Sequence, residues 1–140
     1  MADYLDLSPY DAHRYRGLEA PTLHLEDVSA IPFLTGVPGV ELYQHRARVR
    51  AKDGDVFAAV TPVAEGYEDY CRDIGLGKVS FVSADPGDAP LEVSHALLRQ
   101  LDPLVQFARA AGALVIHPYM SIDPVWRLAA AVADAAKVEV

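Results

Sequence analysis

The order of apolar runs and helical segments predicts a three-layer α/β domain on a small parallel sheet of about four strands. Three observations carry this. Val56-Phe57-Ala58-Ala59-Val60 is an unbroken apolar run, the pattern of a strand covered on both faces. Val79-Ser80-Phe81-Val82 and Ala113-Leu114-Val115-Ile116 follow as further short runs. The segments between and after them have helical spacing and are punctuated by Gly and Asp-Pro.

The elements are read in chain order. Residues 1–20 are polar and aromatic with weak periodicity, and Ser8-Pro9 looks like a helix cap before a short helix through Tyr15. Over residues 22–35, Leu23, Leu25, Val28, Ile31 and Leu34 sit close to helical spacing, with Pro32 weakening the end. Gly36-Val37-Pro38-Gly39 is a turn. Residues 42–52 read two ways. Tyr43, His45, Ala47, Val49 and Ala51 alternate with polar residues, which favours a strand or extended arm. Leu42, Arg46, Val49 and Arg50 also fit a helix with a basic side. Asp53-Gly54 reads as a hairpin turn.

Beyond it, Thr61-Pro62 ends the first strand, because the residue before proline is pushed out of the helical region. Residues 66–74 form a short helix closed by Gly75. Leu91 to Ala111 is helical with a break at Asp102-Pro103, where Asp as N-cap and proline at the first helical position restart it. Gly112 ends that helix. Asp123-Pro124 repeats the device for a last helix from Val125 to Ala136, and Val138-Glu139-Val140 begins a fourth strand. Residues 1–52 thus form an irregular or helical N-terminal extension packed on a parallel α/β unit of residues 53–140, one domain overall. The unit is Rossmann-like in its alternation of strand and helix.

Composition narrows the function. The chain has 140 residues, enough for one core without covalent staples. Its 51% hydrophobic content is far from that of a disordered segment. A net charge of −8 argues against a broad nucleic-acid surface and against attraction to anionic lipid. One cysteine, Cys71, excludes an internal disulfide and reads as a buried structural thiol. No signal peptide and no stretch long enough to span a membrane are visible, so a cytoplasmic location is expected.

In open parallel sheets, ligands sit outside the carboxyl ends of the strands. That rule selects two loops, residues 61–67 and 117–121. From them, Thr61, Pro62, Tyr67, His117, Tyr119 and Ser121 are the candidate substrate contacts, as surface rather than as chemical groups. Glu68 and Asp69 are read as complements to a helix dipole. A histidine at a strand end can serve as general acid or base, yet no partner acid or nucleophile is located for His117, so no catalytic residue is assigned. The five histidines lack paired spacing and there is no cysteine pair, so no metal site is expected. Gly75-Leu76-Gly77 follows a helix rather than opening one, the wrong order for a phosphate loop, and there is no Walker A sequence. The basic row Arg46, Arg48, Arg50, Lys52 reads as a solvated edge, with Arg46 a weaker candidate for anchoring a carboxylate. Trp126 reads as core.

Several stretches together resemble the pre-ATP-grasp domain of ATP-grasp ligases, including the actinobacterial peptide-ligase type. They are Gly39-Val40-Glu41-Leu42-Tyr43 with Arg46-Ala47-Arg48-Val49-Arg50, Asp53-Gly54-Asp55-Val56, Thr61-Pro62 with Gly66-Tyr67-Glu68-Asp69-Tyr70-Cys71, Gly75-Leu76-Gly77, and His117-Pro118-Tyr119 with Val125-Trp126-Arg127-Leu128-Ala129. The resemblance covers roughly residues 30–140. It implies an N-terminal α/β domain that supports substrate binding for an ATP-dependent carboxylate–amine ligase. ATP and Mg are implied only for the ATP-grasp modules, which this sequence lacks, so no cofactor is expected here. The partners implied are an ATP-grasp module in cis or trans, a small carboxylate or amine substrate and a second copy in a homodimer. Two other readings compete: a stand-alone ligand-binding or scaffold domain, and a small enzyme using His117 with a carboxylate such as Glu65.

Overall fold

The computed structural model describes residues 19–140. The expected cap at Ser8-Pro9 and helix through Tyr15 lie outside the described residues. Four parallel strands form one sheet: β1 (Thr22–Leu25), β2 (Val56–Ala59), β3 (Ser80–Ser83) and β4 (Val115–Pro118), in the order β3-β2-β1-β4. Five α-helices connect them: α1 (Arg46–Arg50), α2 (Tyr67–Asp73), α3 (Val93–Arg99), α4 (Asp102–Ala111) and α5 (Asp123–Ala136). The expected parallel, helix-flanked sheet is therefore present.

Several local expectations are corrected. Residues 22–35 were expected to be helical, but Thr22–Leu25 is a strand, and it lies in the middle of the sheet. Leu23 pairs with both Val56 and Ile116, so residues 22–25 are integral to the sheet and not packed on its outside. A four-residue strand is too short for periodicity to distinguish it from one helical turn. Residues 42–52, which read as an extended arm or as a helix with a basic side, take the helical form: a 3-10 stretch over Val40–His45 runs into α1. Asp53-Gly54 turns the chain into parallel strand β2, not into a hairpin. Asp102 and Asp123 are the first residues of α4 and α5, and neither side chain caps its helix. Val138–Val140 contributes one parallel bridge, Glu139 to Ala113, with Leu114 N–H donating to Glu139 O at 3.0 Å.

Side chains alternate across a strand, which divides the sheet into two unlike faces. Leu23, Leu25, Val56, Ala58 and Val82 point one way, into a continuous core with Val93, Leu97, Leu104, Ala108, Leu128 and Val132 of α3, α4 and α5. Burying each such leucine or valine stabilises the fold by roughly 1.5–3 kcal/mol. Gly112, at φ 81°, stops α4 with a backbone turn that side chains resist, so the chain can reverse into β4.

The other face carries His24, Phe57, Phe81 and His117, under α1 and α2. The Phe57 and Phe81 rings stack at 4.7 Å, and Cys71 is buried here as expected. Arg48 is fully buried, against its expected place on a solvated edge. Its Nε and Nη2 donate to the Glu68 carboxylate at 2.7 and 2.8 Å, and Nη2 also donates to Gly77 O at 2.7 Å. That fork lowers the Glu68 pKa and raises that of Arg48. It ties α1 to α2 and to the turn before β3. Among the described residues, no helix is long and apolar enough to cross a membrane.

Candidate functional site

The strand order reverses between β1 and β4: the chain steps from β1 through β2 to β3, then returns across the sheet to β4. In open parallel sheets such a reversal is where a ligand crevice is expected, outside the carboxyl ends of β1 and β4. Glu26 follows β1, and Tyr119 follows β4, its N–H donating to Leu25 O at 2.8 Å. The α1 helix brings Arg46 and Arg50 over this point from one helical face, since residues four apart are neighbours.

Glu26 is almost wholly buried and is ion-paired to both arginines: to Arg46 Nη2 in close contact and to Arg50 Nη2 at 3.5 Å. The Arg46 guanidinium lies 4.2 Å from the centre of the Tyr43 ring and 5.4 Å from that of Tyr119. Half of the Arg46 side chain remains exposed. Arg50 Nε, Arg50 Nη2 and both Glu26 oxygens are buried and make no hydrogen bond, so these side chains face one another as ion pairs alone.

Next to this group on the same face is a second polar set. His24 Nε2 donates to Asp55 Oδ2 at 3.0 Å, because an ionised carboxylate can only accept. Asp55 also accepts from Thr22 N–H and Lys52 N–H, both at 2.9 Å. Burial acts to raise the Asp55 carboxyl, but these three hydrogen bonds outweigh it and hold the pKa below the usual range. Burial lowers the His24 pKa, more than Asp55 raises it, so the ring is neutral at pH 7. His117 is exposed, with its ring 5.5 Å from that of His24. Among the described residues, no three His, Cys, Asp or Glu side chains converge as a cation would require.

The expected contacts are distributed unevenly around this crevice. Arg46 and Tyr119 meet in it, and His117 lies two residues before Tyr119 on β4. Thr61 and Tyr67 sit instead beside the 3-10 stretch. Thr61 Oγ1 donates to Glu41 O at 2.9 Å, and Tyr67 OH donates to His45 O at 3.2 Å. Burial and the neighbouring Cys71 raise the Tyr67 pKa, so its hydroxyl stays a donor. Pro62 is exposed beside them. Ser121 Oγ accepts from Trp126 Nε1 at 3.0 Å, and Trp126 is half exposed rather than core.

A further cavity of about 470 Å³ opens between the loops that follow β1 and β3, with Ser29, Val37, Glu41, Asp88, Pro90 and Glu92 in its wall. Asp27 braces that region: Oδ1 accepts from Ser29 N–H at 3.0 Å, and Oδ2 from Ser94 N–H at 2.8 Å at the start of α3.

Glu26, Arg50, Tyr43 and His24 escaped the sequence reading. One signal was available for them. Arg46 and Arg50 are four apart, the spacing that lets two arginines share one carboxylate once the segment is helical. No family model, no curated protein and no solved structure matches the chain.

Proposed function

We propose that this chain is a substrate-holding α/β domain of the pre-ATP-grasp kind, which binds a small carboxylate-bearing substrate for an ATP-dependent carboxylate–amine ligase. The observation that supports it most is the meeting of Arg46, Tyr43 and Tyr119 over buried Glu26 at the reversal of strand order. An arginine fork is suited to a carboxylate, and aromatic rings on either side restrict its approach. The resemblance in residues 30–140 supplies the ligase context. On this reading, phosphoryl transfer, ATP and magnesium belong to an ATP-grasp module acting in cis or trans. His117, Thr61, Pro62, Tyr67 and Ser121 then line or brace the approach and carry no chemical step.

Calorimetric titration with amino acids and short peptides tests this, alone and with an ATP-grasp module added. Binding that strengthens with the module is the expected result. Absence of heat with every ligand, with and without the module, overturns it.

A contact role for the outer surface is favoured by a separate observation. Tyr70 and Ile74, neighbours on one face of α2, are 60% and 56% exposed, and Val49 on α1 is 55% exposed. Such a surface suits a second copy of the chain or a partner module. Sedimentation of the wild type against Tyr70→Glu/Ile74→Glu tests it, with loss of self-association expected.

A further inference from the structure

The two outer edges of the sheet are finished differently. On β4, the N–H groups of Val115 and Tyr119 face inward and donate to Pro21 O at 3.0 Å and Leu25 O at 2.8 Å. Leu114, Ile116 and Pro118 therefore face outward. That edge is blunted: Leu114 N–H donates to Glu139 O, and Pro118 has no N–H. On β3, Ser80 N–H donates to Asp55 O at 2.9 Å, which turns the backbone groups of Val79, Phe81 and Ser83 outward. Among the described residues, no strand pairs with them. Val79-Ser80-Phe81-Val82-Ser83 contains no proline and no charge, the devices that normally close an edge.

The surface beside this edge is apolar. Phe81 is 41% exposed on the α2 face of the sheet. On α2, Glu68 turns to Arg48 of α1 and pairs with Arg72, so Tyr70 and Ile74 occupy the opposite side of the helix, away from α1. An open hollow of about 560 Å³, bounded by Asp53, Gly54, Lys78, Val79 and Ser80, lies at the start of β3.

We infer that the β3 edge is a self-pairing surface: a second copy of the chain adds its own β3 antiparallel across a twofold axis and extends the sheet. This deepens the outer-surface contact reading and rests on it. Pairing Phe81 with Phe81 of the second copy, and Val79 with Ser83, uses every outward group and exchanges hydrogen bonds at each pair. The axis stands perpendicular to the sheet, so both α2 helices lie on one face. Helix α2 rests over β2 and β3, which it joins, so its copy stands about two strand spacings away, roughly 10 Å, the distance at which helices pack. Tyr70 and Ile74 of the two copies then meet over the Phe81 pair. Charge selects the antiparallel sense. The start of β3 carries Lys78 (+1) and Asp53 (−1), whose Oδ1 accepts the Lys78 N–H. The end carries Asp85 and Asp88 (−1 each) with Arg99 (+1), whose Nη2 reaches Asp85 O and Pro86 O. Antiparallel pairing sets the neutral end, with Lys78 in its hollow, against the end at −1. Parallel pairing sets the two negative ends together.

The test is Ser83→Pro. It removes an N–H that faces away from β2, so the monomer keeps its sheet and loses a pairing group. Sedimentation in moderate salt, which screens repulsion between chains of −8 each, is combined with amide hydrogen exchange in dilute and concentrated protein. Wild type is expected to dimerise, with exchange at Phe81 and Ser83 slowed about tenfold on concentration and exchange at Ile116 unchanged. Ser83→Pro is expected to weaken dimerisation about tenfold or more. Should Ser83→Pro not fold, Ser80→Lys, at an exposed position, decides by the same criteria. A dimer in which Phe81 exchange stays fast, or which the folded variant leaves intact, overturns this inference alone and leaves contact through Tyr70 and Ile74 standing. Slowing at Phe81 only after an ATP-grasp module is added also overturns it, in favour of that partner. Wild type that stays monomeric, with no slowing in either case, overturns both.

Discussion

The two faces of the sheet use the same backbone and opposite chemistry. Toward α3, α4 and α5, the inward strand positions Leu23, Leu25, Val56, Ala58 and Val82 are aliphatic, and the layer is held by area and close packing. Toward α1 and α2, the inward positions include His24, Arg48, Glu26 and Asp55, each held by a named partner. An apolar layer tolerates small errors of direction. A charged one does not, because each group without its partner carries the full cost of losing water. The first face makes the domain stable, and the second makes it particular.

Cutting into the aliphatic face should have the largest effect. Leu97→Ala and Leu128→Ala each remove a fully buried side chain, and thermal and urea unfolding should show losses of about 2–5 kcal/mol. The polar face should respond asymmetrically. Glu68→Gln leaves Arg48 buried and charged and should cost about 3 kcal/mol. Arg48→Met removes the buried charge and leaves Glu68 partly exposed to water, and it should stay within about 1 kcal/mol of wild type in the same unfolding assay. Equal costs for the two would remove the asymmetry on which the comparison stands.

The faces should also separate with pH. The His24 pKa is lowered on folding, so the unfolded chain takes up the proton first, and stability declines as pH falls through the ordinary imidazole range. The Asp55 and Glu68 pKa values are also lowered, so their contribution is full above the usual carboxylate range and is lost as pH falls through it. Urea midpoints should therefore decrease from about pH 7 to pH 4, and His24→Phe should flatten the upper part of that slope. At the periphery, effects should be small. Trp126→Ala should cost about 1 kcal/mol, since the ring is half exposed. Thr61→Val should cost about 1 kcal/mol by losing its hydrogen bond to Glu41 O, read by the same unfolding assay.

The same contrast explains how much was legible in the sequence. Strands β2, β3 and β4 and helices α2 to α5 are visible as apolar runs cut by Gly75, Pro103, Gly112 and Pro124, because the aliphatic face records itself as hydrophobic pattern. The polar face records almost nothing of the kind. In and just after β1, His24 and Glu26 alternate with Leu23 and Leu25, and these four residues equally fit one turn of helix. In α1, the arginines mimic the polar side of an exposed strand, yet Arg48 is enclosed and Arg46 and Arg50 turn onto Glu26. Tyr119 was singled out because strand ends are predictable, and Arg46 because it stands in a basic row. Glu26 and Arg50 were not, because their pairing joins residues distant in the chain, and Tyr43 was not, because its contact with Arg46 needs the segment to be helical.

The central position of β1 bears on how the chain is made. Among the described strands it leaves the ribosome first, yet its partners Val56 and Ile116 emerge later and Ile116 last of all. Until β4 arrives, one side of β1 is a bare edge, open to pairing with other nascent chains. The ionisable groups at His24 and Glu26 then guard that edge, since charge within an exposed strand discourages sheet-to-sheet addition. Residues read above as a ligand site would thus act, during synthesis, as protection against misassembly.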